Sequence, residues 1–288
     1  MNDQRIAIIC DSGCDVPEDF ILKHDVRVVP LTLNYSEGSY LSGVDITTDE
    51  VIRRFAEEIP TTSLPSPALI REVFEKAQAD GYEKAVFVGI SRNLSATLQT
   101  AEMIANMLDD FPVITIDSKN ISMGAGMSVM SACEMIEEGI VFEDLERRLS
   151  NLAEVTSLYF VTKTLEYLHR GGRISDAVYK VGSVLNIKPI ITCDHQGKYI
   201  TTKKSRGIDK AMRYETSMIR SKMEDFEHVR VGILTSTDKD FQTMKELTES
   251  KMDNIEHLFR AHISPALVVH TGPDIIGIGA QPDWRYLS

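Results

Sequence analysis

The sequence predicts an α/β protein of two domains: a parallel-sheet α/β N-terminal domain over residues 1–155, then a smaller α+β domain with antiparallel strands over 156–288. Three observations carry this. Strand-length apolar runs alternate with helix-period stretches as far as about residue 150, as a doubly wound parallel sheet requires. Beyond that, Lys188–Cys193 and Lys198–Lys204 flank Asp194–Gly197, a hairpin signal that imposes antiparallel pairing. A length of 288 residues also fits two domains of ordinary size.

The first half reads in order as follows. Arg5–Cys10 is a buried strand running into the polar turn Asp11, Ser12, Gly13 and Asp15, at the strand end where open parallel sheets place their sites. Pro17–Lys23 is a short helix, Val26–Leu33 a second strand, and Asp45–Ile59 a helix capped by Thr47 or Thr48. Thr61–Pro67, TTSLPSP, is a polar loop in which Ser66 and Pro67 stand as N-cap and first helical residue. Leu69, Ile70, Val73, Phe74 and Ala77 continue the helix. Its free amides beside Thr62 and Ser63 suit an anion; the plainer reading is a capped helix after a polar loop. Ala85–Ile90 is the next strand, and Ser91 and Ser95 sit in the turn that leads to a helix face of Leu98, Ala101, Ile104, Ala105 and Leu108. Val113–Ile116 is strand and Gly124–Glu138 helix.

In the second half Leu158–Val161 is a strand, and Leu165–Arg170 is a helical turn or two stopped by Gly171 and Gly172. Gly207–Met223 and Asp238–Ser250 are helices, and Val229–Leu234 and Ile255–Arg260 are strands. The closing segment ALVVHTGPDIIGIGA is apolar and glycine-rich, with His270 inside it.

A formal net charge of −12 disfavours a general nucleic-acid binder, which needs a positive field over the phosphates. It leaves room for a small anion, because one local arginine, histidine or helix end outweighs diffuse surface charge at contact distance. No apolar run is long enough to cross a bilayer, and Met1–Arg5 lead straight into IAIIC with no secretory leader, which predicts a cytoplasmic protein. Cys10, Cys14, Cys133 and Cys193 form no zinc pattern. No P-loop occurs, and Gly124–Gly126 opens a dinucleotide fingerprint that Val129 leaves unfinished. No cofactor or metal is therefore expected. Ser95, in NLSATL, lacks the glycines of a nucleophile elbow. His270 alone reads first as a core histidine, although the glycines and Pro273 after it favour a site.

Together the candidates form an ordered series over nearly the whole chain: TSxPS at Thr62–Ser66, ISRNLSAT at Ile90–Thr97, IDS at Ile116–Ser118 followed by GAG, LEYLHRGGRI at Leu165–Ile174, LNIKPI at Leu185–Ile190 and HTGP at His270–Pro273. The series resembles the DegV family, bacterial fatty-acid-binding proteins also called FakB. The resemblance implies a two-domain fold with a long-chain fatty acid held between the domains. It implies a non-catalytic subunit that presents the carboxylate to a separate fatty acid kinase, which makes acyl phosphate for phospholipid synthesis. Carried over, the carboxylate-binding residues are Thr62, Ser63, Ser95 and His270, with Ser66, Ala96, Thr97 and Gly272 in the neighbouring loops. Arg170, Arg173 and Arg206 are the supporting basic residues, one of the first two pointing inward and Arg206 serving the head-group surround or the kinase contact. The pattern departs at Ala96 and Asp274, where the family has glycine. The implied partners are the fatty acid and the kinase, with room for transient membrane contact and none for nucleic acid.

Two rival readings stand beside it. One is a serine-dependent acyl hydrolase or transferase using Ser95 and His270, and the other is a binding protein for another small anion.

Overall fold

The computed structural model describes residues 1–184 and 187–287, without the side chains of 181–184. Leu185 and Asn186 of the LNIKPI motif lie outside the described residues, and its remainder lies in a strand.

The chain opens with β1 (Ile6–Asp11), α1 (Glu18–His24), β2 (Arg27–Val29), β3 (Thr32–Tyr35), β4 (Gly38–Leu41) and α2 (Thr48–Arg54). The expected single strand Val26–Leu33 is thus two strands, β2 and β3, parted at Pro30 and Leu31, because proline offers no N–H to continue a ladder. The helix expected over Asp45–Ile59 stops at Arg54. Glu58 accepts hydrogen bonds from the Ser36 amide and hydroxyl at 2.9 and 2.7 Å, and Pro60 biases Ile59 away from helix. Thr47 caps it, accepting from Glu50 N. Next come β5 (Thr61–Ser63), α3 (Pro67–Ala79), β6 (Lys84–Gly89), α4 (Thr97–Ala105), β7 (Val113–Asp117), α5 (Met123–Glu137) and α6 (Phe142–Val155). The start of the TTSLPSP loop is therefore strand, with Thr62 paired to Leu33 in a small sheet ordered β4-β3-β5. The sequence reading had no counterpart for α6.

The four-stranded sheet β2-β1-β6-β7 is parallel throughout. Alternation along its strands sends Ala7, Ile9, Ala85 and Phe87 against α3 and α4, and Ile6, Ile8, Val86 and Val88 against α5 and α6. Helices cover both faces, as the alternating sequence predicts. Asp11, at the end of β1, is buried and accepts from the amides of Gly13 and Ile90 at 2.8 and 2.9 Å.

The second half contributes β8 (Ser157–Thr162), α7 (Glu166–Arg170), α8 (Asp176–Val184), β9 (Ile187–Cys193), β10 (Tyr199–Arg206), α9 (Ile208–Met223), β11 (Val229–Thr235), α10 (Asp238–Glu249), β12 (Ile255–Ala261), α11 (Pro265–Thr271) and β13 (Ile275–Pro282). The sheet order is β10-β9-β8-β13-β11-β12, antiparallel except for the β11–β12 pair. The expected hairpin closes at Asp194–Gly197, pairing Cys193 with Tyr199. Neither α8 nor α11 was foreseen. The signal for α11 was present, since Ser264 and Pro265 open it and Gly272 closes it.

Helix α5 lies between the two large sheets, touching β1 and β6 on one side and β8, β11 and β13 on the other. Its residues are buried all round, as a helix between two sheets must be. Gly126 serves this packing, since a Cβ there would stand 2.4 Å from the Cys14 carbonyl oxygen. The glycines that resembled a dinucleotide fingerprint therefore let a helix approach a loop.

Candidate functional site

A cavity of about 480 Å³ opens between the loops of the parallel sheet, α11 and one face of the six-stranded sheet. That is a ligand-sized volume. Its buried wall is apolar, formed by Leu158, Phe160, Leu234 and Ile275 of the sheet with Met123 of α5. Thr62, Ser63, Ser95, Arg173 and His270 also line it, and these residues are partly or fully exposed. The cavity therefore has an oily interior and a polar end.

His270 sits in the last turn of α11, and its Nε2 lies 2.6 Å from Thr62 Oγ1 on β5. One glycine abuts the ring and another abuts Tyr167 beside it. A Cβ on Gly171 would fall 2.1 Å from His270 Nδ1, so only glycine fits beside the ring. Gly272 has φ +74°, and a Cβ there would meet Tyr167 at 2.5 Å. Burial first, and the Arg173 charge second, push the imidazole down to about 3, so it is neutral near pH 7. Its Nδ1 is buried without a hydrogen-bond partner among the described residues.

Ser95 lies just before α4, its Oγ 2.8 Å from the Thr97 hydroxyl, and Thr97 N donates to the same Oγ at 3.3 Å. Ala96 between them has φ −81°, which any residue adopts, so alanine costs no backbone strain there. Arg173 donates to the carbonyls of Gly171 at 2.5 Å and Leu94 at 3.4 Å. It has no carboxylate partner among the described residues. The other arginine of the cavity, Arg92, is neutralised by Asp117 at 2.9 Å and Glu102 at 2.8 Å.

Asp15 holds this end together from behind. It accepts from the Ser122 hydroxyl at 2.5 Å and from Ser264 N at 2.9 Å, tying the starts of α5 and α11. Burial raises its carboxyl to about 7, against the lowering effect of those hydrogen bonds. The polar turn after β1 had been marked from sequence, but not its reach to α11, which is 249 residues away.

Of the sequence candidates, Thr62, Ser63, Ser95, Ala96, Arg173 and His270 share the cavity. Thr97 supports it from the first turn of α4, and Gly272 from the end of α11. Arg173 is the inward arginine, whereas Arg170 faces solvent with Glu166 at 3.9 Å. Ser66 caps α3 by accepting from Leu69 N at 3.2 Å and is not among the lining residues. The helix starts that meet the cavity are thus those of α4 and α5, not that of α3 as expected. Arg206 ends β10, exposed and away from the lining. Asp274 points outward, 3.4 Å from Lys163 Nζ.

Residues 5–283 match the family model for DegV, described as an uncharacterised protein family. This chain belongs to the DegV family. A DegV domain-containing protein of Clostridium acetobutylicum is 33% identical over 276 residues, covering 96% of this chain and 98% of the relative. One of Clostridium perfringens is 34% identical over 281 residues, covering 97% and 99%. Among solved structures, a fatty-acid-binding DegV family protein from Thermus thermophilus superposes with TM-score 0.89 at 32% identity, over 96% of this chain and 99% of that one. A stearic-acid-binding protein from Eubacterium ventriosum does so with TM-score 0.87 at 28% identity, over the full length of both. The two-domain α/β architecture of this DegV protein is therefore that of its family. No helix among the described residues is long and apolar enough to cross a membrane.

Proposed function

We propose that this DegV protein is a cytoplasmic carrier that holds a long-chain fatty acid in the cavity and presents its carboxylate to a separate fatty acid kinase, feeding phospholipid synthesis. Residues 1–155 supply head-group loops and residues 156–288 cover the acyl chain, with Arg173 and His270 reaching back to the polar end. The observation that carries the reading is an arginine without a counter-ion among the described residues, beside a Thr62–His270 pair at the end of an apolar cavity. A buried carboxylate is costly unless it is hydrogen-bonded and charge-compensated, and these groups meet both needs.

The roles divide along the cavity. Each methylene taken from water contributes about 0.8 kcal/mol, so the wall supplies most of the affinity and the polar end sets the orientation. Neutral His270 shares one hydrogen with Thr62 Oγ1 through Nε2, and in the tautomer protonated there the Thr62 hydroxyl hydrogen is free for the ligand. Ser95 offers a second hydroxyl, and Arg173 offers the charge. Ser63 stands at the rim and also accepts from Asn34 at 3.2 Å. Arg206, on the surface, is assigned to the kinase contact.

The hydrolase alternative needs Ser95 activated by His270. Instead Ser95 Oγ is engaged with Thr97 and His270 Nε2 with Thr62. Mass spectrometry of freshly purified protein, native and then denatured and extracted, tests the carrier reading. A near-stoichiometric long-chain acid is expected, and its phosphorylation only when a fatty acid kinase and ATP are added. Protein that emerges empty and stays empty when offered free fatty acids would overturn it.

A further inference from the structure

Tyr199 begins β10, lines the cavity and packs edge-on against Phe160, with ring centroids 5.4 Å apart. It belongs to the apolar cluster of Met123, Leu158, Phe160 and Ile191. The other hydroxyls of the cavity each have a partner within the protein: Thr62 with His270, Ser63 with Asn34, Ser95 with Thr97, Ser122 with Asp15 and Thr271 with the Leu267 carbonyl. The Tyr199 hydroxyl has no hydrogen-bond partner among the described residues. Burial keeps it protonated, so it can both donate and accept.

We infer that Tyr199 reads an oxygen on the body of the ligand, and that the preferred ligand is a long-chain acid carrying a mid-chain hydroxyl. The inference rests on the fatty-acid reading proposed above. Plain methylenes laid against the phenol would strip its water and return nothing, whereas a hydroxyl both accepts from it and donates to it. The position is wrong for a carboxylate held by His270. β10 stands three places from β13 in the sheet, about 14 Å at the usual strand spacing, and α11 with His270 leads directly into β13.

The test compares stearic acid with a mid-chain hydroxystearic acid by competition binding to delipidated wild-type protein and to Tyr199→Phe, which keeps the ring on Phe160. Wild type should prefer the hydroxy acid about tenfold, and the variant should lose that preference while holding stearic acid at least as well. Equal affinities in wild type, or a preference unchanged in the variant, would overturn the inference and leave the fatty-acid reading intact. Failure of both acids to bind wild type would remove both. The wild-type ratio is decisive even if the variant folds poorly, which its melting temperature would reveal.

Discussion

Among the described residues, His270 and Glu215 both bury polar atoms without partners, and they differ in what surrounds them. At the polar end of the cavity, His270 Nδ1 is unpaired, but Nε2 meets Thr62 and Arg173 lies near. Under α9, both oxygens of Glu215 are unpaired on the same buried helix face as Met212 and Ile219. Burial alone drives that carboxyl well upward, and no nearby charge contributes. At the cavity the unpaired Nδ1 faces Gly171 while the other ring nitrogen is held by Thr62, so its cost accompanies a ring fixed beside other polar groups. An unpaired atom inside a packed apolar layer is a cost to stability.

The largest expected effect breaks the first region. Gly171→Ala drives a Cβ into the His270 ring, costing about 2–3 kcal/mol through overpacking and displacing the imidazole. Retained lipid, measured by extraction and mass spectrometry, should fall sharply, and undiminished loading would break the assignment of His270. The converse change in the second region is Glu215→Leu, which should stabilise by about 1–2 kcal/mol in a denaturant titration and leave ligand affinity alone. A loss of stability there would mean that the carboxyl has a partner in solution.

Thr62→Val keeps the shape and removes the hydroxyl. It should weaken fatty-acid binding by about 1–2 kcal/mol, roughly tenfold, with the dependence on chain length unchanged. The same size of loss for acids of several lengths would separate the polar end from the wall.

Asp11 and Asp15 sharpen the comparison through pH. Burial raises their carboxyls from 3.8 to about 6 and about 7, so the folded chain binds these protons more tightly than the unfolded chain does. Their stabilising contribution is complete below about pH 4 and is lost as pH rises through 6 to 7. The melting temperature should therefore fall between pH 5 and pH 8, and less so in Asp15→Asn. His270, lowered from 6.5 to about 3, works the other way up to about pH 6.5, where only the unfolded chain binds its proton, so it partly offsets the fall and ceases to contribute above that. The smallest effect is expected from Asp274→Gly, within about 0.5 kcal/mol, because the carboxylate only pairs with an exposed lysine.

The residues legible in advance were those whose meaning is local. Ser66–Pro67 announce a helix start wherever they stand, and strand alternation with helical spacing announced the parallel sheet. Ordered motifs also marked Thr62, Ser95 and His270. The choice between Arg170 and Arg173 was not legible, because three residues on a short helix and its turn separate a solvent-facing side chain from one in the cavity. Nor was the fate of Asp274, whose neighbour Lys163 is on another strand end.

The sequence by itself determined the alternation of strand and helix in the first half, the hairpin of the second and the two-part architecture, since each follows from periodicity or from a motif within a few residues; it left α6, α8 and α11 unread. Tertiary structure alone decided that Gly171 abuts His270, that Asp15 reaches Ser264, and that Tyr199 joins the apolar wall of the cavity. Those relations join residues tens to hundreds of positions apart, and packing of α5 between two sheets brings them together. A spacing rule reports only what one helix or strand does to its own side chains.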